Sequence, residues 1–254
     1  MKKIYILPNL FTTANLFTGV LAIINIINLN YETASLLIFI SFILDGMDGK
    51  IARLTKSQSS FGLNLDSLSD LVAFGVAPAV LIYSWFKLKG PWSGSGARIA
   101  AGVAVLFVIC GALRLARFNV NVIRSEKKIF IGLPIPAAAG TVVSTFLAFY
   151  KSPFFSDMQG TWVMRLLPLV FAGVATLMVS NIPYLSMKNI DLEGRKPFDY
   201  LVILIVVVCL AIAFWNFRSF MLLAGFWAYT LSGVSWKTYR IINKIKTTKR
   251  ERHN

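Results

Sequence analysis

Apolar runs long enough to cross a membrane alternate with short polar connections along nearly the whole chain. At a rise of 1.5 Å per residue, about 20 helical residues cover a hydrocarbon core about 30 Å thick. On that scale the pattern predicts eight spans, at residues 10–29, 33–53, 64–86, 98–118, 133–150, 163–186, 199–214 and 217–236. The expected fold class is therefore all-α, a polytopic membrane protein. The sequence PWSGSG at Pro91–Gly96 reads as a turn between spans, and Gly132-Leu133-Pro134-Ile135-Pro136 opens the fifth, where proline is tolerated in the first helical turn. No linker marks a second domain. The first span is not expected to be a cleaved leader, because it begins at a Pro8-Asn9 turn, lacks a small-residue cleavage site and is followed by further spans.

Composition agrees with the pattern. The 254 residues are 56% hydrophobic and 15% charged, with a mean hydropathy of +0.67, whereas a soluble domain carries about 25% charge. The net charge of +15 does not argue for nucleic acid, because the basic residues fall in short loops between spans. With a cytoplasmic N-terminus, 20 of the 26 Lys and Arg residues face the cytoplasm. That asymmetry supports an even number of spans with both termini inside, and an attraction to anionic lipid headgroups. The tail Lys237–Asn254, basic with Ile241, Ile242 and Ile245 interspersed, is expected to form a membrane-surface helix. Cys110 and Cys209 lie inside apolar runs and read as core residues rather than a disulfide or metal pair. The single histidine, His253, is in the polar tail, so chemistry must come from carboxylates, basic residues and a metal.

One stretch breaks the apolar pattern. DGMDGKIARLTKSQSSFGLNLDSLSD, from Asp45 to Asp70, sets four aspartates between the apolar runs Leu36–Leu44 and Leu71–Tyr83. Asp45 and Asp48 are spaced i,i+3, and Asp66 and Asp70 i,i+4, so each pair shares a helix face. Gathered carboxylates repel and are costly to desolvate, and a divalent cation relieves both costs. Oxygen ligands suit Mg²⁺, Mn²⁺ or Ca²⁺. Ionisable residues at membrane depth mark functional sites by default, and this one is expected at the cytoplasmic face. Gly49 and Gly62 remove side chains where a bulky group must approach the backbone. A channel or transporter would instead place its site near the midplane between inverted repeats, and no internal repeat is visible.

The same stretch fits D-x-x-D-G-x-x-A-R-x8-G-x3-D-x3-D at every fixed position. That pattern resembles the CDP-alcohol phosphotransferases, membrane enzymes that move a phosphoalcohol group from a CDP-alcohol to a second alcohol and release CMP. The resemblance implies a dimeric protein with a six-helix core, over residues 1–190, and two metal ions per subunit, Mg²⁺ or Mn²⁺. Two extra helices (191–236) and the basic tail (237–254) would follow. It assigns metal ligation to Asp45, Asp48 and Asp66, and makes Asp70 a further ligand or the general base. Gly49, Ala52, Arg53, Ser59 and Gly62 would line the cytidine diphosphate pocket. The opening PNLFTTAN resembles the family's first helix, which would bring Asn9, Thr12 and Asn15 to the nucleotide; capping and helix–helix hydrogen bonds are the alternative for these three.

LPNLFTTANLFTG (Leu7–Gly19), CGALRLARFNV (Cys110–Val120) and GLPIPAAAG (Gly132–Gly140) look like the bacterial branch of that family that joins CDP-diacylglycerol to L-serine. Glycerol 3-phosphate or an inositol phosphate is the alternative acceptor. For serine, Arg114 and Arg117, spaced i,i+3, could grip the carboxylate bidentately; as membrane-surface anchors they would snorkel to the interface instead. Asn119 and Asn121 could serve the amino group, although turn chemistry explains them as well. Arg124, Lys127 and Lys128 read as lipid-facing charges.

Overall fold

The computed structural model describes residues 6–54, 59–89, 96–122, 129–151, 162–185 and 218–251. Helix α1 (Ile6–Ile27) packs along α2 (Tyr31–Leu54), and α3 (Ser60–Asp70) runs through a π-helical turn (Leu71–Val76) into α4 (Ala77–Lys89). Then follow α5 (Gly96–Val122), β1 (Ile129–Ile131), α6 (Ile135–Lys151), α7 (Trp162–Val179), β2 (Pro183–Leu185) and α8 (Arg218–Glu251). The predicted seventh span, 199–214, lies outside the described residues, as does Cys209.

Among the described residues three helical segments are long and apolar enough to cross a membrane, Asn9–Ile27, Ser60–Leu88 and Ala97–Val120, with shorter apolar helices at Ile135–Tyr150 and Arg165–Val179. Large apolar side chains such as Phe17, Ile24, Ile43, Ile109 and Leu169 are exposed on the outside, as expected where hydrocarbon is the solvent. Lipid tails are as apolar as leucine, so helices hold together by close approach and polar contacts. Small residues supply the approach. A Cβ on Gly19 of α1 would lie 2.8 Å from the Cα of Ala73 in the π turn. The polar contacts include Tyr31 Oη to Ser84 Oγ at 2.8 Å and Thr18 Oγ1 to Ser41 Oγ at 2.6 Å.

Two features depart from the purely helical expectation. The sixth span was expected to reach residue 186, but α7 stops at Val179 and Pro183–Leu185 pairs antiparallel with Ile129–Ile131. Pro183 cannot continue a helix, and Gly132, at φ +86°, makes the turn from β1 into α6 while donating to Ile182 O at 2.8 Å. The second departure is at the C-terminus. The tail, expected as a membrane-surface helix, is continuous to Glu251 with the helix that starts at Arg218, over the predicted eighth span. At 1.5 Å per residue α8 is about 50 Å long, well beyond a hydrocarbon core of about 30 Å.

Helix α8 packs on α6. Thr230 and Thr141 share a hydrogen bond of 2.9 Å, Trp227 Nε1 donates to Thr145 Oγ1 at 3.0 Å, and the Phe226 ring covers Gly140. On its other flank Tyr184 of β2 lies over Gly233 and donates to Thr230 O at 3.2 Å.

Candidate metal centre and active site

The C-terminal half of α2 carries Asp45 and Asp48, and α3 carries Asp66 and Asp70. A side-chain cap starts α3: Ser59 is extended (φ −135°, ψ 152°) and its Oγ accepts from Gly62 N at 3.0 Å. Asn9 Oδ1 closes over the same place, 3.3 Å from where a Gly62 Cβ would stand. A side chain at Gly62 would crowd the ends of Ser59 and Asn9. Ser59 and Asn9, predicted at the nucleotide, here shape the turn that aims the second aspartate pair.

The two pairs meet. One carboxylate oxygen each from Asp45, Asp48 and Asp66 lies within 4.8 Å of the others. Ligand oxygens about 2.0–2.6 Å from a hard cation are separated across it by about 4–5 Å at most, so the three oxygens are close enough to share a divalent cation. An all-carboxylate donor set, with no thiolate or imidazole, favours Mg²⁺, Mn²⁺ or Ca²⁺ over softer metals. Asp48 is buried, and Asp45 and Asp66 are partly so.

Asp70 stands outside that trio and is only 7% exposed. Its Oδ1 accepts from Asn15 Nδ2 at 3.2 Å, and Thr12 Oγ1 donates to Asp48 Oδ2 at 2.9 Å. Thr12 and Asn15, one turn apart on α1, are both buried, so the structure brings them to the aspartates themselves. Gly49 follows Asp48 on α2 and is partly buried. Ala52 and Arg53 lie on the last turn of α2, but their side chains, like that of Asn121, are outside what the structure describes.

The two arginines of α5 separate. Arg114 is within electrostatic reach of Asp70 and Asp45, and its guanidinium lies 5.3 Å from the centre of the Phe118 ring. Arg117 turns to the end of α7, where Nη1 donates to Val179 O at 3.2 Å and Nη2 to Asn181 Oδ1 at 2.6 Å. A cation on the last carbonyls of a helix satisfies them and complements the helix dipole. A joint bidentate grip by both arginines is thus not the arrangement seen; Arg114 alone is placed toward the carboxylates. Asn119 Nδ2 donates to Ser67 Oγ at 2.9 Å, tying α5 to α3 between Asp66 and Asp70. Ser67 carried no signal in the sequence beyond its place between two aspartates.

A mostly helical membrane protein with a candidate carboxylate cation site at the meeting of two of its helices, and a cationic side chain within electrostatic reach, has the parts that transfer of a phosphate-linked group requires. More particularly, the chain belongs to the CDP-alcohol phosphatidyltransferase family, whose model matches residues 5–178. Among curated proteins it is 42% identical over 190 residues to a CDP-diacylglycerol–serine O-phosphatidyltransferase of Helicobacter pylori, covering 75% of this chain and 76% of that one. It is 37% identical over 212 residues to a protein of the same name from Methanocaldococcus jannaschii, covering 84% and 86%. An archaetidylserine synthase of Methanothermobacter thermautotrophicus is 38% identical over 183 residues, covering 70% and 69%.

Proposed function

We propose that this protein transfers the phosphatidyl group of CDP-diacylglycerol to the hydroxyl of L-serine, giving phosphatidylserine and CMP. The observation that carries the reading is the gathering of the four aspartates: three have a carboxylate oxygen within 4.8 Å of one another, and Asp70 lies beside them, within electrostatic reach of all three and of Arg114. Serine in the names of the relatives supports the choice of acceptor.

Asp45, Asp48 and Asp66 would hold the divalent cations, Mg²⁺ or Mn²⁺ and two per subunit, which when bound neutralise charge on the pyrophosphate; of the two roles open to Asp70, further ligand or base, its place outside the trio favours the base. Gly49, Ala52, Arg53, Ser59, Gly62 and, at the start of α1, Asn9 take the cytidine diphosphate. Asp70 accepts the proton of the serine hydroxyl. That oxygen forms the new bond to the lipid phosphorus as the bond to the CMP oxygen breaks. Arg114 holds the serine carboxylate by a charge-assisted hydrogen bond.

The surplus of cytoplasmic Lys and Arg supports a multi-pass protein of the cell (inner) membrane with both termini and the active site on the cytoplasmic side. The basic C-terminal segment supports contact with anionic lipids. The family resemblance supports a homodimer.

The test is CMP release from CDP-diacylglycerol by purified protein, with L-serine, glycerol 3-phosphate or an inositol phosphate as acceptor and Mg²⁺ or Mn²⁺ present. Release that depends on L-serine and stops on chelation is the expected result. Release with glycerol 3-phosphate and none with serine would overturn the acceptor while leaving the family.

A further inference from the structure

Asn15 was expected at the nucleotide, yet it is 0% exposed and its amide points at Asp70. We infer that Asn15 is a positioning residue for the acceptor step: its Nδ2 fixes Oδ1 of Asp70 and leaves Oδ2 to take the proton of the incoming hydroxyl. The inference rests on the reading of Asp70 as the base.

Three observations carry it. The first is the direction of the amide. Only the N–H end of an asparagine can face a carboxylate oxygen, so the amide is oriented, and its Oδ1 is left buried with no hydrogen-bond partner among the described residues. A buried amide serving only to brace two helices would be expected to satisfy both ends.

The second is how firmly α1 is held on both sides of this contact. The Asn15 carbonyl accepts from Thr18 Oγ1 at 3.0 Å and from Ser41 Oγ of α2 at 3.5 Å. One turn further on, Gly19 meets the backbone of Ala73 so closely that a Cβ has no room. The chain at Ala73 belongs to the π-helical turn that begins directly after Asp70. Such turns relax the regular hydrogen-bond ladder and occur often at functional sites. Asn15 is thus set against the segment that carries Asp70, with little freedom along either helix.

The third is the division of labour along α1. Thr12, on the same face one turn earlier, donates to Asp48 of the metal trio, while Asn15 donates to the one aspartate outside it. Each aspartate that α1 reaches thus has its own donor, Thr12 for Asp48 and Asn15 for Asp70.

The experiment compares Asn15→Ala and Asn15→Leu with wild type and Asp70→Asn in the serine-dependent CMP-release assay, with kcat and both KM values measured. Both Asn15 variants are expected to lose about 10- to 100-fold in kcat, the usual cost of removing an outer-shell hydrogen bond, with KM for CDP-diacylglycerol within about threefold. Asn15→Leu keeps the volume without the donor, so recovery of turnover in it would mean packing and overturn the inference. It also carries the test should Asn15→Ala not accumulate as folded protein. Preserved kcat with a large rise in KM for CDP-diacylglycerol would return Asn15 to the nucleotide and equally overturn it. If Asp70→Asn itself kept near-wild-type turnover, the base assignment would fail first; if Asp70→Asn is inactive and the Asn15 variants are normal, only the positioning role falls.

Discussion

At the scale of single residues, the aspartates differ in what holds them, and their substitutions should differ accordingly. Asp48 is 5% exposed, takes a hydrogen bond from Thr12 and belongs to the trio. Asp48→Asn keeps shape and can still accept from Thr12, so the protein should fold, yet one ligand charge is gone. Turnover should fall by at least about 100-fold, as for loss of a group that stabilises transition-state charge, even at saturating Mg²⁺ or Mn²⁺. Near-normal turnover in folded Asp48→Asn would rule out the metal role. The arginines should separate too. Arg114→Ala should raise KM for serine about tenfold or more, since a charge-assisted bond to a carboxylate contributes roughly 1.5–3 kcal/mol. Arg117→Ala should mainly lower the thermal midpoint, because its donors hold Val179 O and Asn181. The reverse pattern, with serine KM moving only in the Arg117 variant, would exchange their roles.

At the scale of elements, the site depends on how closely α1 approaches the helix that bears Asp66 and Asp70. Gly19→Ala tests that approach. Its Cβ would stand 2.8 Å from Ala73 Cα and 3.0 Å from Ala73 Cβ, and a backbone cannot swing aside as a flexible side chain can. Overpacking of this kind costs about 1–3 kcal/mol, and the shift should loosen Thr12 from Asp48 and Asn15 from Asp70. A lower thermal midpoint together with lower kcat is expected. Gly173→Ala, on α7 with nothing within 4 Å of the added Cβ, is the control. It should be neutral or slightly stabilising, by up to about 1 kcal/mol, because alanine is the better helix former. Equal behaviour of the two variants would mean that the α1 contact is not as tight as it stands here.

At the scale of the whole molecule, α8 lies beyond the segment that the family model matches, yet it is bound into the fold. Its Thr230, Trp227 and Phe226 cover Thr141, Thr145 and Gly140 of α6. Tyr229 lies within electrostatic reach of Arg114, and its ring centre is 5.8 Å from that of Tyr184. Ending the chain before Arg218 would bare a face of α6 in which Thr141 and Thr145 would each lose a partner. The truncated protein should accumulate poorly or elute as aggregate from a detergent gel-filtration column. A monodisperse, active truncation would make α8 an accessory rather than part of the body.

The sequence alone determined the solvent and the chemistry. Runs of apolar residues about 20 long leave the backbone no option in hydrocarbon but the helix, and three described segments long and apolar enough to cross, Asn9–Ile27, Ser60–Leu88 and Ala97–Val120, lie on predicted spans. Carboxylates retained at such depth, at i,i+3 and i,i+4, announced a cation site before any contact was known. What only the tertiary structure decided is which groups hold those carboxylates. Thr12 reaches Asp48 across 36 residues and Asn15 reaches Asp70 across 55, and hydropathy carries no information on the angle at which two apolar helices cross. The parting of Arg114 from Arg117 has the same origin. At i,i+3 they look equivalent, but the end of α7 and its short strand stand beside one of them and not the other. Where a helix ends within an apolar run, and which neighbour meets its last carbonyls, is settled by packing rather than by the local sequence.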